Sequence, residues 1–253
     1  MQETAQVARF EAIVDATVLD AKLQLVDAVA DEALFQLRED GLFVRVIDPA
    51  EVAMVETDLP ASAFEHYESD GGVLGFDVAT LAEAVGLADT DDPLLSLELD
   101  AEARKLTVEG ADFSYAIAPL HPDSVRQVPD VPTADLPNEL TIAAADLQRA
   151  VGACDRLANT VHVTVDPDAE TVSFRAEADV DDLAFTYDQD RLSSLDATAA
   201  TETILSLDYT NRIVSEMAGE VTLHLGEEKP AFFEYERDGI AVKNVIAPRF
   251  VRG

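Results

Sequence analysis

Apolar residues recur at helical spacing in four places along the chain. Leu19, Leu23, Val26 and Ala30 fall at i, i+4, i+7 and i+11, and Val78, Leu81, Ala82 and Val85 repeat a shorter form of that spacing. Leu147, Val151, Cys154 and Ala158 make a third stripe, and Ile213, Val214 and Met217 a fourth. Each spacing predicts a helix with one buried face. Asp77 and Asp208 stand where an N-cap is expected, and Gly86 and Gly219 suit left-handed stops. Between the stripes the period falls to two. Residues 34–38, 42–47 and 52–58 alternate as strands, as do 94–99, 106–109 and 113–118. A third set covers 161–165, 172–175 and 183–187, and a fourth 221–225, 232–236 and 240–246. Asp40-Gly41 and Asp238-Gly239 mark tight hairpins, because glycine tolerates positive φ.

The resulting order is strand, helix, three strands, four times over at about sixty residues each. Repetition shows in the letters too. Ala79-Thr80-Leu81-Ala82-Glu83-Ala84-Val85-Gly86 returns as Ala145-Asp146-Leu147-Gln148-Arg149-Ala150-Val151-Gly152, and Asp100-Ala101-Glu102 as Asp168-Ala169-Glu170. Two units per domain divide the chain at residues 119–137, where Pro119, Pro122, Pro129, Pro132 and Pro137 oppose helix and central strand. The predicted organisation is α+β: one domain over 1–118, an extended linker over 119–137, a second domain over 138–253. Each domain is expected to hold antiparallel sheet on one side and two short helices on the other.

Charge changes the picture most. The 253 residues carry 17 basic and 51 acidic side chains, a formal net charge of −34, yet 48% of the chain is apolar. That apolar content predicts a folded protein with a carboxylate-rich surface rather than an acidic disordered tail. Only Lys22, Lys105, Lys229 and Lys243 represent lysine. The pattern is expected of a protein adapted to molar salt, where self-repulsion is screened within about 3 Å. Cys154 stands alone on an apolar stripe, which predicts a buried small hydrophobe and an intracellular location. Neither a signal peptide nor an apolar run of membrane-crossing length is expected.

Catalytic motifs are not apparent. The acidic groups Asp89-Thr90-Asp91-Asp92 and Asp179-Val180-Asp181-Asp182 lack the glycine and terminal glutamate of a calcium loop. His66, His121, His162 and His224 are scattered, without zinc-ligand spacing, and no phosphate loop or nucleophile elbow occurs. No cofactor, metal or catalytic residue is expected. The competing reading is a carboxylate-based hydrolase on a duplicated α+β fold, which explains the abundant Asp and Glu but not the repeats.

Residues 41–55 (GLFVRVIDPAEVAMV), the closing Ile246-Ala247-Pro248-Arg249-Phe250 and the early Phe10-Glu11-Ala12 together resemble the proliferating cell nuclear antigen (PCNA) family of sliding DNA clamps, in its archaeal form. The resemblance runs over essentially the whole chain. It implies a DNA-clamp fold, with sheets outside and helices lining the hole of a head-to-tail homotrimer that encircles double-stranded DNA. The implied protein is no enzyme. It raises processivity by tethering DNA polymerase, flap endonuclease and DNA ligase through short PIP-type peptides, and a clamp loader opens it. The strand at 112–118 is implied to pair with 176–183 of the next subunit, covering two exposed edges. A weaker option is a subunit that assembles only as a heterotrimer.

Site residues follow from the same resemblance. Ile47, Val52 and Met54, with Val128 from the linker and Pro230, Val245, Ala247 and Pro248 near the end, match the apolar partner pocket. Lys22, Arg149, Arg156 and Arg212 match DNA-facing positions. The helices depart from the family's basic pattern, since the first offers Asp20 and Asp27 beside Lys22 and the second offers Glu83. Local pairing of Arg156 with Asp155 and of Arg212 with Glu216 is the alternative use of those cations.

Overall fold

The computed structural model describes residues 9–129 and 135–250. These residues form eighteen strands and four α-helices in two compact units. Unit 1 takes the described residues up to Ile47, then Val55–Pro129 and Asp238–Ala241. Its elements are β1 (Phe10–Asp15), α1 (Ala16–Asp27), β2 (Glu32–Arg38), β3 (Gly41–Ile47), β4 (Ala53–Pro60), β5 (His66–Ser69), β6 (Gly72–Asp77), α2 (Val78–Val85), β7 (Leu94–Asp100), β8 (Lys105–Glu109) and β9 (Ser114–Ile117). One sheet runs β5-β1-β7-β8-β9; in the other, β4-β3-β2-β6 are neighbours.

Unit 2 takes Asp48–Met54, the chain up to Arg237, and the stretch from Val242 onward. It contains β10 (Asn138–Ala143), α3 (Ala144–Asp155), β11 (Thr160–Asp166), β12 (Thr171–Glu177), β13 (Asp182–Tyr187), β14 (Ser194–Ala197), β15 (Thr201–Ser206), α4 (Leu207–Ser215), β16 (Glu220–Leu225), β17 (Ala231–Arg237) and β18 (Ile240–Ile246). Its strand orders are β14-β10-β16-β17-β18 and β13-β12-β11-β15. Replacing β5-β1-β7-β8-β9 by these numbers maps one unit onto the other strand for strand. The strand–helix–three-strand module therefore occurs four times, with one further short strand per unit.

The helices are short because each is held from outside rather than by its own propensity. Leu19, Leu23 and Val26 of α1 are almost wholly buried, as are Leu147, Val151 and Cys154 of α3. Each such aliphatic side chain stabilises the fold by about 1.5–3 kcal/mol. The Asp15 carboxylate accepts from Thr17 N at 2.7 Å and starts α1; Asp77 accepts from Thr80 N at 2.7 Å and starts α2. Within unit 2, the Gln148 amide of α3 donates to Val214 O (3.2 Å) and Met217 O (3.0 Å), satisfying the exit carbonyls of α4.

Several expectations are corrected. Asp208 does not cap α4: Ser206 holds the N-cap position, and Asp208 lies in the first turn. Gly86 ends α2 in right-handed geometry (φ −67°), so no left-handed stop forms there, whereas Gly219 is left-handed (φ 63°) beyond α4. Asp238 and Gly239 both take positive φ (52° and 77°), as their hairpin requires. The β2–β3 hairpin instead turns through Glu39 and Asp40, pairing Arg38 with Gly41. Glycine is needed at 41 because a Cβ there would sit 2.3 Å from the Leu59 carbonyl oxygen. The proline-rich stretch is docked rather than free over its first part. Leu120 N–H donates to Gly75 O (2.8 Å), and Val125 is buried in unit 1. Pro132 and its neighbours at 130–134 lie outside the described residues.

Candidate functional site

The segment between β3 and β4 is fixed by one carboxylate. Asp48 Oδ1 accepts from Val52 N (2.6 Å) and Ala53 N (2.7 Å), and Oδ2 from Ala50 N (2.8 Å). Its own N–H donates to Ala53 O at 2.9 Å, and Glu51 takes φ 60° to close the bracket. Burial pushes the Asp48 carboxyl up, but these backbone donors and the Tyr209 hydroxyl outweigh it and hold the group below its ordinary value. Tyr209 is correspondingly raised, by burial and then by the Asp48 hydrogen bond.

That bracket positions the apolar residues expected to receive partners. Val52 O accepts from Ala247 N at 2.8 Å, which joins the Asp48 loop to the end of β18 within unit 2. Met54 and Val245 are buried (4% and 7% exposed), while Val52, Pro230, Ala247 and Pro248 are half-buried. A patch whose floor is buried and whose rim is half-open can accept apolar side chains without unfolding. Ile47 and Val128 fall in unit 1, and both are half-buried. Beyond the patch, Arg249 N–H donates to Ile204 O on β15 at 2.7 Å, and Phe250 stands 67% exposed.

The helix faces sort differently from the expectation. Lys22 is not on the solvent side of α1. It is fully buried, its Nζ donating to Thr57 Oγ1 (2.8 Å) and Thr57 O (3.1 Å) on β4. Desolvation pulls its pKa down to about 7, against smaller opposing effects led by the Asp58 charge. Arg149, Arg156 and Arg212 are exposed, as expected. The local pairs considered for them do not form, because Asp155 accepts from the Asn211 amide (2.9 Å) and Glu216 binds Arg237 (2.6 Å). Arg149 rests its guanidinium over the Phe185 ring, 5.3 Å from the centroid. A recess of about 410 Å³ opens on the same side of unit 2, lined by Asp155, Leu207, Asp208, Tyr209, Asn211 and Arg212.

Two strands lack a second neighbour among the described residues: β9 in unit 1 and β13 in unit 2. This narrows the expected edge at 176–183. Ala176 and Glu177 lie in β12, which is already paired on both sides, so the free edge is β13. Sequence reading passed over one cluster. The register Glu11↔Glu68 and Ile13↔His66 brings Glu11, His66 and Glu68 within 4.8 Å, and Arg9 binds both glutamates (3.2 and 2.8 Å). Cys154 is buried, which raises its thiol pKa and fits a packing role. No helix among the described residues is long and apolar enough to cross a membrane.

A duplicated unit of short helices packed on antiparallel sheets, repeated twice in one chain, is the architecture of a DNA clamp. Residues 8–111 match the family "Proliferating cell nuclear antigen, N-terminal domain". A DNA polymerase sliding clamp of Natronomonas pharaonis is 42% identical over 95% of this chain and 98% of its own length. One from Halobacterium salinarum is 40% identical over 90% and 92%. In structure the chain is similar to A. fulgidus PCNA with the C-terminal region of FEN-1 bound (TM-score 0.87, 26% identity, 96% of this chain and 100% of that one). The PCNA of Thermococcus kodakaraensis shares the fold (TM-score 0.85, 24% identity, 95% and 100%). The chain belongs to the PCNA family of DNA polymerase sliding clamps. Halophilic archaea are the source of the two sequence relatives, and the carboxylate-hydrolase alternative finds no support among any of these proteins.

Proposed function

We propose that three copies close head to tail into a ring around duplex DNA, acting without catalysis as an intracellular, nucleoid-associated tether. The observation that carries this reading is the pair of open edges, β9 and β13, on opposite units of a duplicated chain. A heterologous contact between them repeats from copy to copy, and it closes only if its rotation divides the circle. Pairing also covers edges that would otherwise invite aggregation. The docked residues 119–129 then serve as the first part of the connection between two domains.

Partners dock at Val52, Met54, Pro230, Val245, Ala247 and Pro248, with Ile47 and Val128 as further candidates. An apolar patch suits concentrated salt, because burial of apolar surface survives screening. The A. fulgidus relative holds a peptide region of a flap endonuclease; polymerase, ligase and loader are assigned here by the same peptide chemistry. The test is polymerase run length on primed circular template with clamp and loader in molar KCl. Addition of the clamp lengthens products, and Met54→Ala or Pro248→Ala removes most of that gain while leaving the sedimenting mass near three times 27.3 kDa. Monomeric mass, or stimulation unaffected by both substitutions, contradicts the reading.

A further inference from the structure

The helix faces of the two units are chemically unlike. On unit 1 the exposed helical positions are Thr17, Gln24, Asp27, Ala79 and Glu83, with Asp20 half-buried beside them. The one cation in either helix, Lys22, points into the interior and is held there by Thr57. On unit 2, Arg149, Arg156 and Arg212 are exposed, and no carboxylate pairs with Arg149 or Arg156 among the described residues. Positions 149 and 156 are seven apart, two helical turns or about 10 Å along one face.

The carboxylates around them are largely engaged. Asp146 binds Arg191 (2.5 Å) and Glu216 binds Arg237 (2.6 Å), both arginines coming from outside the helices, and Asp155 is tied to Asn211. Two negative charges are thus offset by cations that the helices themselves do not carry. Asp20 accepts only the neutral Gln24 amide at 2.8 Å, which leaves its charge in place. Arginine recognises phosphate by planar, paired donors, a geometry that persists where long-range attraction is screened.

We propose that each chain touches the duplex backbone directly through the α3–α4 face of unit 2 alone, while the α1–α2 face of unit 1 meets phosphate only across hydrated cations. The inference rests on the clamp reading for the statement that these faces look toward DNA. Its consequence is a ring with one gripping face per chain instead of two.

Binding of linear duplex to the intact protein, followed against KCl concentration, tests it. The slope of log K against log[KCl] changes by about 0.9 for each phosphate contact. Arg149→Gln/Arg156→Gln flattens the slope by about 0.9–1.8 with unchanged mass and melting temperature. Lys22→Met leaves the slope where it was. Gln24→Arg, which places a cation on the exposed side of α1, steepens it by about 0.9. An unchanged slope in the double arginine variant, or an equal loss in Lys22→Met, overturns the assignment to unit 2. No steepening in Gln24→Arg overturns the statement about unit 1. Retention on nicked circular DNA is read separately, since it depends on closure. A wild-type protein lost equally fast from circles and linear fragments defeats the ring, while a flattened slope in the same protein still upholds the arginine face.

Discussion

Lys22 shows how one residue can sit on the pattern and still be misread. Basic side chains on clamp helices are read as DNA contacts, yet position 22 lies three after Leu19 and four before Val26, on the buried stripe. Spacing alone carried that signal. Arg149 and Arg156 are each two positions past a stripe residue (Leu147, Cys154) and are exposed. The burial of Lys22 makes stability depend on pH with a definite sign. Its folded-state pKa is near 7, below the ordinary 10.5. Between those values the unfolded chain binds a proton that the folded chain does not, so stability rises with pH across the window. Below about pH 7 the full penalty of a buried ammonium is present. Lys22→Met with Thr57→Val removes the charge and the hydroxyl it satisfies. Thermal melts of that variant in molar KCl are expected to run about 2–4 °C above wild type at pH 7, and the rise in stability from pH 7 to 10 should flatten. A variant that melts lower, with the rise intact, contradicts this.

At the scale of elements, the Asp48 bracket links local backbone chemistry to partner capture. Removing its carboxylate strands the N–H groups of Ala50, Val52 and Ala53, of which the last lies in β4. Asp48→Ala is therefore expected to cost about 2–4 kcal/mol and to weaken an aromatic-anchored peptide at least tenfold by displacing Val52 and Met54, as read by fluorescence polarisation. The carboxylate is held below 3.8, so its contribution is complete above that value and is lost as pH falls through the lower, folded one. Gly41→Ala makes an independent case: the new Cβ meets Leu59 O at 2.3 Å, and destabilisation of more than about 2 kcal/mol is expected from chemical denaturation. The hairpin around Gly41 was legible from its letters, but the reason for the glycine was not, since Leu59 approaches from β4. Period-two alternation likewise located the long strands and missed β5 (HYES) and β14 (SLDA), which are short, largely polar and at sheet edges. The four modules were readable because each buries one apolar face. The apolar patch was readable only through resemblance, because half-buried residues such as Val52 and Pro248 have no distinctive period.

For the whole molecule, charge decides under which conditions the clamp exists. A net charge of −34 per chain repels itself within one copy and more strongly between three. At molar salt the Debye length is about 3 Å and this repulsion is nearly silent; at 0.01 M it reaches about 30 Å. The cores do not share that dependence. Phe174, Phe233, Leu140 and Leu205 are buried almost completely, and apolar burial needs no screening. Contact between copies through β9 and β13 must overcome repulsion between acidic edges, because Glu109 closes β8 beside β9 and Asp182 opens β13. Assembly is therefore expected to fail before folding as salt is withdrawn. Sedimentation across a KCl series should show the trimer dissociate while far-UV circular dichroism is still that of folded chains, and unfolding should follow only at lower salt. Neutralising the edge by Asp181→Asn and Asp182→Asn should move the dissociation midpoint to lower KCl and leave the unfolding midpoint unmoved. If both midpoints shift together, or if chains unfold while still trimeric, the acidic surface acts on the fold itself and the order argued from burial is wrong.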